Sequence, residues 1–309
     1  MPSALDTPQG AAELAGSLLP QLANRWLHTQ AVAVRAQEAA AAVSKADRDL
    51  LVAAAWLHDI GYAPELRDTG FHPLDGARHL ETLGAPARLV GLVAHHSGAV
   101  YEAEQRGLSA ELAVYGREDS PILDALIFAD MTTGPAGQPF EFDTRIDEIL
   151  VRYEPGSEVH HAISKARPHL GAAVERTQRR IAAFSSLPPS QQAIIDGSGW
   201  WPPTLFAVEH QDVELLARLL DAGADPDEGN GATLLTHAID TEGDSALQSG
   251  DPLTVATTAV LLAYGADPEL RDATGETPLQ AAEHYDHAPA IRLLRRHLPS
   301  DRGRKRQPM

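Results

Sequence analysis

Three apolar runs in the first half of the chain each end in residues able to bind a metal. Ala53-Ala54-Ala55-Trp56-Leu57 leads into His58-Asp59, Leu89-Val90-Gly91-Leu92-Val93-Ala94 leads into His95-His96, and Ile122-Leu123-Asp124-Ala125-Leu126-Ile127-Phe128-Ala129 leads into Asp130. His28 lies in a fourth, alanine-rich stretch, and His72 stands directly before Pro73. Burying one such group at a helix end is unremarkable. Repeating it with no Lys or Arg adjacent implies that the groups compensate one another through a cation. Imidazole and carboxylate donors suit Mg, Mn, Fe, Co or Zn, and the donor set does not distinguish them. The chain has no cysteine, which removes thiolate metal sites, disulfides and cysteine nucleophiles together. The chemistry open to this set is metal-assisted, with a cation polarising a substrate oxygen or activating a water.

The elements that must position these residues read as helices. The segment Arg25–Val43 has no Gly or Pro, and Leu27, Ala31, Val34 and Glu38 recur at helical spacing with His28 in the first turn. Residues 47–60 form the next, with Asp47 as N-cap, Leu50, Leu51, Ala54 and Leu57 as the apolar face, and Gly61 as its stop. Pro73 suits a first helical turn and places His72 at a helix entrance; Gly84 ends that helix and Pro86 opens the next. A short helix is expected near Ser109–Tyr115, and longer ones over Pro121–Met131, Phe142–Tyr153 and Glu158–Phe184. No stretch before residue 185 alternates with period two, so the expected fold class is all-α. Residue types leave two choices open: either His95 or His96, and either Asp124 or Asp130, can be the ligand. His79 reads as structural, and His160 and His161 as surface residues.

In the order His28, His58-Asp59, His72, His95-His96, Asp130, on helices, the first half resembles the HD-domain superfamily of metal-dependent phosphohydrolases over about residues 20–185. Leu57-His58-Asp59-Ile60-Gly61 is similar to its core motif. The resemblance implies a helical bundle in which His28, His58, Asp59 and Asp130 bind a first divalent metal. Asp59 would bridge to a second, which His72 and His95 or His96 complete, and Asp59 and His58 would serve catalysis. It favours Asp130 over Asp124. Many members carry Lys after Ile-Gly, and Tyr62 stands there; Arg67 and Arg78 are candidate phosphate contacts.

The second half differs in style. Leu187-Pro188-Pro189-Ser190 and Gly197-Ser198-Gly199 punctuate a linker over 187–199, which bounds a metal-binding domain at 1–186. Beyond it, Leu219-Leu220-Asp221-Ala222-Gly223-Ala224-Asp225-Pro226 recurs as Leu261-Leu262-Ala263-Tyr264-Gly265-Ala266-Asp267-Pro268, and Gly231-Ala232-Thr233-Leu234-Leu235 as Gly275-Glu276-Thr277-Pro278-Leu279. This resembles the ankyrin repeat and implies about three helix-turn-helix units over 200–298, a scaffold for a protein partner. Gly223 and Gly265 lie 42 apart (265 − 223) against about 33 for an ideal unit, so an insertion is expected around Glu242–Asp251. The tail 299–309 reads as basic and disordered.

A formal net charge of −18 argues against binding a nucleic-acid polymer, whose phosphates need a cationic footprint. It does not exclude a small phosphorylated substrate, because bound metals invert the local field. With neither a basic leader nor a long apolar run, no membrane partner is expected, and the location expected is cytoplasmic. The function expected is metal-dependent hydrolysis of a small phosphorylated compound or nucleotide. The alternatives are a di-iron oxygenase on the same ligands and a catalytically silent scaffold acting through the repeats.

Overall fold

The structure is a computed structural model and describes residues 4–229 and 231–298. Among these, regular structure is helical, and an isolated antiparallel bridge joins Thr133 and Pro139. No described helix is long and apolar enough to cross a membrane. The chain divides into two compact units between Ile181 and Ala182.

The first unit is built round α3 (Arg48–Leu57), which packs against α1 (Pro8–Leu18), α2 (Ala23–Glu38), α5 (Ala87–His95) and α8 (Pro121–Met131). Its alanines keep the side chains short, so neighbours approach on several sides, and Leu51 to Ala55 and Leu57 are all buried. On α2 the expected stripe faces the wrong way. Leu27 and Val34 are 48% and 54% exposed, and the buried face is His28, Thr29, Val32, Ala33 and Ala36. Alanines on every side of this helix blur its periodicity, and the face that carries His28 goes inward. The α2 helix stops at Glu38, and Ala39–Ala42 continues as a 3₁₀ turn. Further on come α4 (His72–Thr82), α6 (Ala99–Arg106), α7 (Ser109–Leu112), α9 (Phe142–Arg152) and α10 (Glu158–Ser185). Sequence periodicity did not reveal α6.

Gly61 does not end α3 by adopting a left-handed conformation, as expected of a capping glycine. It lies in a 3₁₀ turn, Ile60–Tyr62, where a Cβ would stand 2.0 Å from the His72 carbonyl oxygen and 2.7 Å from the Gly76 nitrogen. The residue is small because the entrance of α4 passes against it. Asp75 then fixes the loop before His72, accepting hydrogen bonds from the backbone N–H groups of Asp68, Thr69 and Gly70.

The second unit holds α11 (Pro189–Ser198), α12 (Pro203–Glu209), α13 (Val213–Asp221), α14 (Leu234–Ser249), α15 (Ala256–Ala263), α16 (Pro278–His284) and α17 (Ala288–His297). The stretch expected to be a linker, 187–199, is therefore mostly helix. Pro189, read as a breaker, occupies the first turn, where its missing N–H costs nothing. The boundary also falls ahead of the expected residue 186, within α10. The later helices pair as α12 with α13, α14 with α15 and α16 with α17. First helices stack on first helices and second on second, in two layers. The repeated turns superpose bond for bond: Ala224 N–H donates to Leu219 O and Ala266 N–H to Leu261 O, both at 3.0 Å. The insertion is helical. The α14 helix has 16 residues where α12 and α16 have 7, and from its added part Glu242 reaches the start of α15 and accepts from Thr257 N–H at 2.9 Å and Thr258 Oγ1 at 2.6 Å. The tail 299–309 lies outside the described residues.

On α14, Asp240 lines a groove of about 640 Å³. Burial, then the nearby Glu276 and Asp244, push its carboxyl up to about 6. The folded state thus holds a proton that the unfolded chain releases above about 4, so stability falls as pH rises through that interval and levels off beyond about 6. Asp240→Asn should abolish this dependence and stabilise the protein at pH ~7 by about 1 kcal/mol, a figure discounted for solvent screening of a half-exposed group. Thermal melts across pH check it; a variant that melts lower than the parent at neutral pH refutes it.

Candidate metal centre

Six of the seven expected ligands converge, in two groups: His28, His58 and Asp130, and Asp59, His72 and His96. Within each group the donor atoms lie within 4.8 Å of one another. Five helices or helix ends deliver them, each for a local reason. His58 and His96 stand just past the last turns of α3 and α5, His28 sits in the early turns of α2, His72 opens α4 and Asp130 lies near the end of α8.

The ring tautomers follow from the backbone. His58 Nδ1 is 2.7 Å from Ala55 O, His96 Nδ1 2.6 Å from Val93 O and His28 Nδ1 3.0 Å from Gly134 O. A carbonyl only accepts, so each Nδ1 carries the hydrogen and each Nε2 turns a lone pair into the site when the ring is neutral. His28 Nε2 then meets Asp130 Oδ1 at 3.0 Å, and His96 Nε2 meets His72 Nε2 at 3.1 Å. His58 Nε2 is buried without a hydrogen-bond partner, 3.2 Å from Asp59 Oδ2 but misaligned for a bond. Lone pairs facing lone pairs and carboxylates repel unless a proton or a cation stands between them, and this donor set fits a divalent metal.

Asp59 lies between the groups. Its Oδ2 is 3.2 Å from His58 Nε2 and 3.7 Å from His28 Nε2, while its Oδ1 is 3.3 Å from His72 Nε2. Burial works to raise its carboxyl, but Arg25 and His58 more than offset this and hold it well below the usual carboxylate range. Asp130 is likewise lowered against burial, by its close contact with His28 and the charge of His58. Burial, reinforced by His96 and Arg25, keeps His72 well below the usual histidine value; burial and then His58 lower His96. In His58 burial is overcome by Asp59, and the value is raised.

His95 does not join. Its ring is turned the other way, with Nε2 donating to Tyr115 O at 2.8 Å, so the nitrogen its neighbour offers to the site is spent on a carbonyl. His95→Gln should leave metal content unchanged while His96→Gln lowers it, measured by elemental analysis of purified protein; the reverse order would overturn the assignment. Asp124, the acid the resemblance did not favour, is buried and paired with Arg176 at 2.6 and 2.8 Å and with Arg180 at 2.8 Å. His79, His160 and His161 stay outside both groups.

Several residues of the cleft were not anticipated. Arg25 donates to Asp59 Oδ2 at 2.6 Å, and its guanidinium lies over the Tyr62 ring at 4.0 Å, which in turn stacks on His72 at 4.0 Å. The cation absent from position 62 thus arrives from α2. Its one sequence signal is its place three residues before His28, on the same helix face. Ser97, at φ 48 and ψ 35, donates its hydroxyl to Asp130 Oδ2. A left-handed non-glycine residue is costly and marks an imposed constraint. Arg145, Arg152 and Tyr153 line the cleft from α9 and its end, and nothing in the sequence pointed there. Arg67 and Arg78 do not line it; Arg67 bonds to Tyr62 O and Arg78 to Asp68.

Residues 25–131 match the family model described as HD domain, a stretch that contains both metal-type groups. A search of curated proteins found no match.

Proposed function

We propose that the first unit is a metal-dependent phosphohydrolase acting on a small phosphorylated compound or nucleotide. The match of residues 25–131 to the HD domain family model supports metal-dependent hydrolysis. The observation that carries the reading is the position of Asp59, with one oxygen toward His28 and His58 and the other toward His72, which groups with His96. That arrangement supports a binuclear site with Asp59 as the bridge. His28, His58, Asp130 and Asp59 would hold one divalent cation, and Asp59, His72 and His96 the other. Bound there, the cations would supply Lewis acidity and a water acidic enough to attack at neutral pH. The chain's own groups do the rest: Asp59 and Asp130 stay ionised, the three backbone-anchored imidazoles stay oriented, and Ser97 holds the second oxygen of Asp130. Arg25 offers a guanidinium suited to phosphoryl oxygens. The cleft is small, about 80 Å³ against roughly 300–1,000 Å³ for drug-sized ligand sites, which favours a compact head group.

The three helix pairs of the second unit are read as a short ankyrin stack that docks a protein partner. Its support is the repeated Gly-Ala-Asp turn, with Gly223 and Gly265 both left-handed, and the Thr-Pro-Leu start of α16, where Thr277 and Gln280 cap each other.

The test is a screen of full-length protein, loaded in turn with Mg, Mn, Fe and Co, against phosphomonoesters and nucleotides, with metal content measured alongside. Phosphate release with one or more of these metals is expected. Protein that binds metal and releases no phosphate from any substrate sinks the reading. Dioxygen consumption by the iron form alone would replace it with oxygenase chemistry.

A further inference from the structure

The α9 helix belongs to neither metal-type group, yet it gives the cleft two arginines. Arg145 is 5% exposed. Its Nη1 bonds to Glu148, and its Nε is buried with no hydrogen-bond partner. Arg152 holds the same Glu148 through both carboxylate oxygens, at 3.0 and 2.6 Å. Two guanidiniums therefore share one carboxylate, and Arg145 Nε is left as a buried donor with no acceptor, which is costly to leave unanswered. The other acid on the cleft wall at this side, Glu102, is bonded at 2.7 Å to Arg106, which also meets Glu158 at 3.2 Å, and Arg25 spends only its Nη1 on Asp59 at the metal-type groups.

The geometry points to Arg145, supported by Arg152, as a second anion-binding site that receives a charged group of the substrate distinct from the phosphoryl group at the metals. This rests on the phosphohydrolase reading for the reaction, and it narrows the substrate class to small phosphomonoesters that carry a second anion, a carboxylate or another phosphate. A planar guanidinium with a free edge accepts either in a forked arrangement. The scissile group is served by the two metal-type clusters and Arg25, all on other elements, so the α9 pair answers a separate charge.

Calorimetry on full-length, metal-loaded protein tests this with probes that cannot be hydrolysed. Phosphonoacetate, which carries a carboxylate tail, should bind roughly 10- to 100-fold tighter than methylphosphonate, the range expected for a charged hydrogen-bonded contact. Arg145→Gln should bring that ratio close to one, and Arg145→Lys, which keeps charge without the fork, should leave it in between. Equal binding of the two probes by the unaltered protein, or binding of neither, overturns the proposal without needing any variant to fold. A folded R145Q that weakens both probes equally also overturns it, by assigning Arg145 to the scissile phosphate. Ethylene glycol bisphosphate set against hydroxyethyl phosphate in the turnover assay tells a phosphate tail from a carboxylate one. Probe discrimination without any turnover would retain this site and sink the hydrolase reading instead.

Discussion

Asp59→Asn should cost about three orders of magnitude in turnover, on the scale of the several kcal/mol that metal-borne stabilisation supplies. On the proposed binuclear site it should also reduce bound metal from two equivalents to one or none. The substitution preserves shape and removes only charge and one acceptor oxygen. What it removes is shared: the carboxylate lies 2.6 Å from Arg25, 3.2 Å from His58 and 3.3 Å from His72, through both oxygens. An amide cannot present two anionic faces, so the two groups lose their common edge. There is an energetic consequence without metal as well. Arg25, only 23% exposed at its side chain, is left beside a neutral partner. Removing one member of a fully buried pair costs about 3–5 kcal/mol, and Arg25's residual exposure should bring this to about 2 kcal/mol. Elemental analysis and thermal melts of the metal-free protein read the two effects separately. Two retained equivalents with normal turnover would remove Asp59 from its role.

Gly61→Ala should be the most damaging substitution that touches no charged or ligating side chain. The added methyl would stand 2.0 Å from one backbone atom and 2.7 Å from another, neither of which can rotate away. Relief requires moving the start of α4, and His72 with it. A cost of about 3 kcal/mol or more is expected, at the upper end for overpacking, together with loss of the Asp59–His72–His96 group even in whatever fraction folds. Gly84→Ala is the informative comparison. That residue has φ +72 and open space around it, so only backbone preference is lost, about 1 kcal/mol. If the two variants melt alike, the close approach at Gly61 does not matter as argued.

What the sequence disclosed follows from how local each signal is. His58, Asp59, His96 and Asp130 end apolar helices, and a helix end is written in a dozen contiguous residues. His72 was equally legible because Pro73 fixes a first turn. The choice between His95 and His96 was not legible, since it depends on which ring nitrogen meets Tyr115 O, a partner twenty residues away. Arg25 lay in plain view three residues before His28, but its bond is to Asp59 across the bundle. Arg145 had no local signal at all, because only the packing of α9 brings it to the cleft. The all-helical character, the bounds of α8 to α10 and the paired helices of the second unit were readable. The inward face of α2 was not, because alanine on all sides leaves no stripe to read. Pro188-Pro189 misled in the opposite sense, marking a helix start where a linker was expected.

The hydrogen bonds from His58 Nδ1 to Ala55 O and from His96 Nδ1 to Val93 O carry a wider implication. Each spans three residues and uses a carbonyl of the last helical turn, a group left over wherever a helix stops. The orienting partner of these imidazoles is thus peptide backbone, which no point mutation deletes. Side chains around the cleft can therefore be substituted without removing the partner that sets the direction of either ring, because that direction comes from the act of ending a helix.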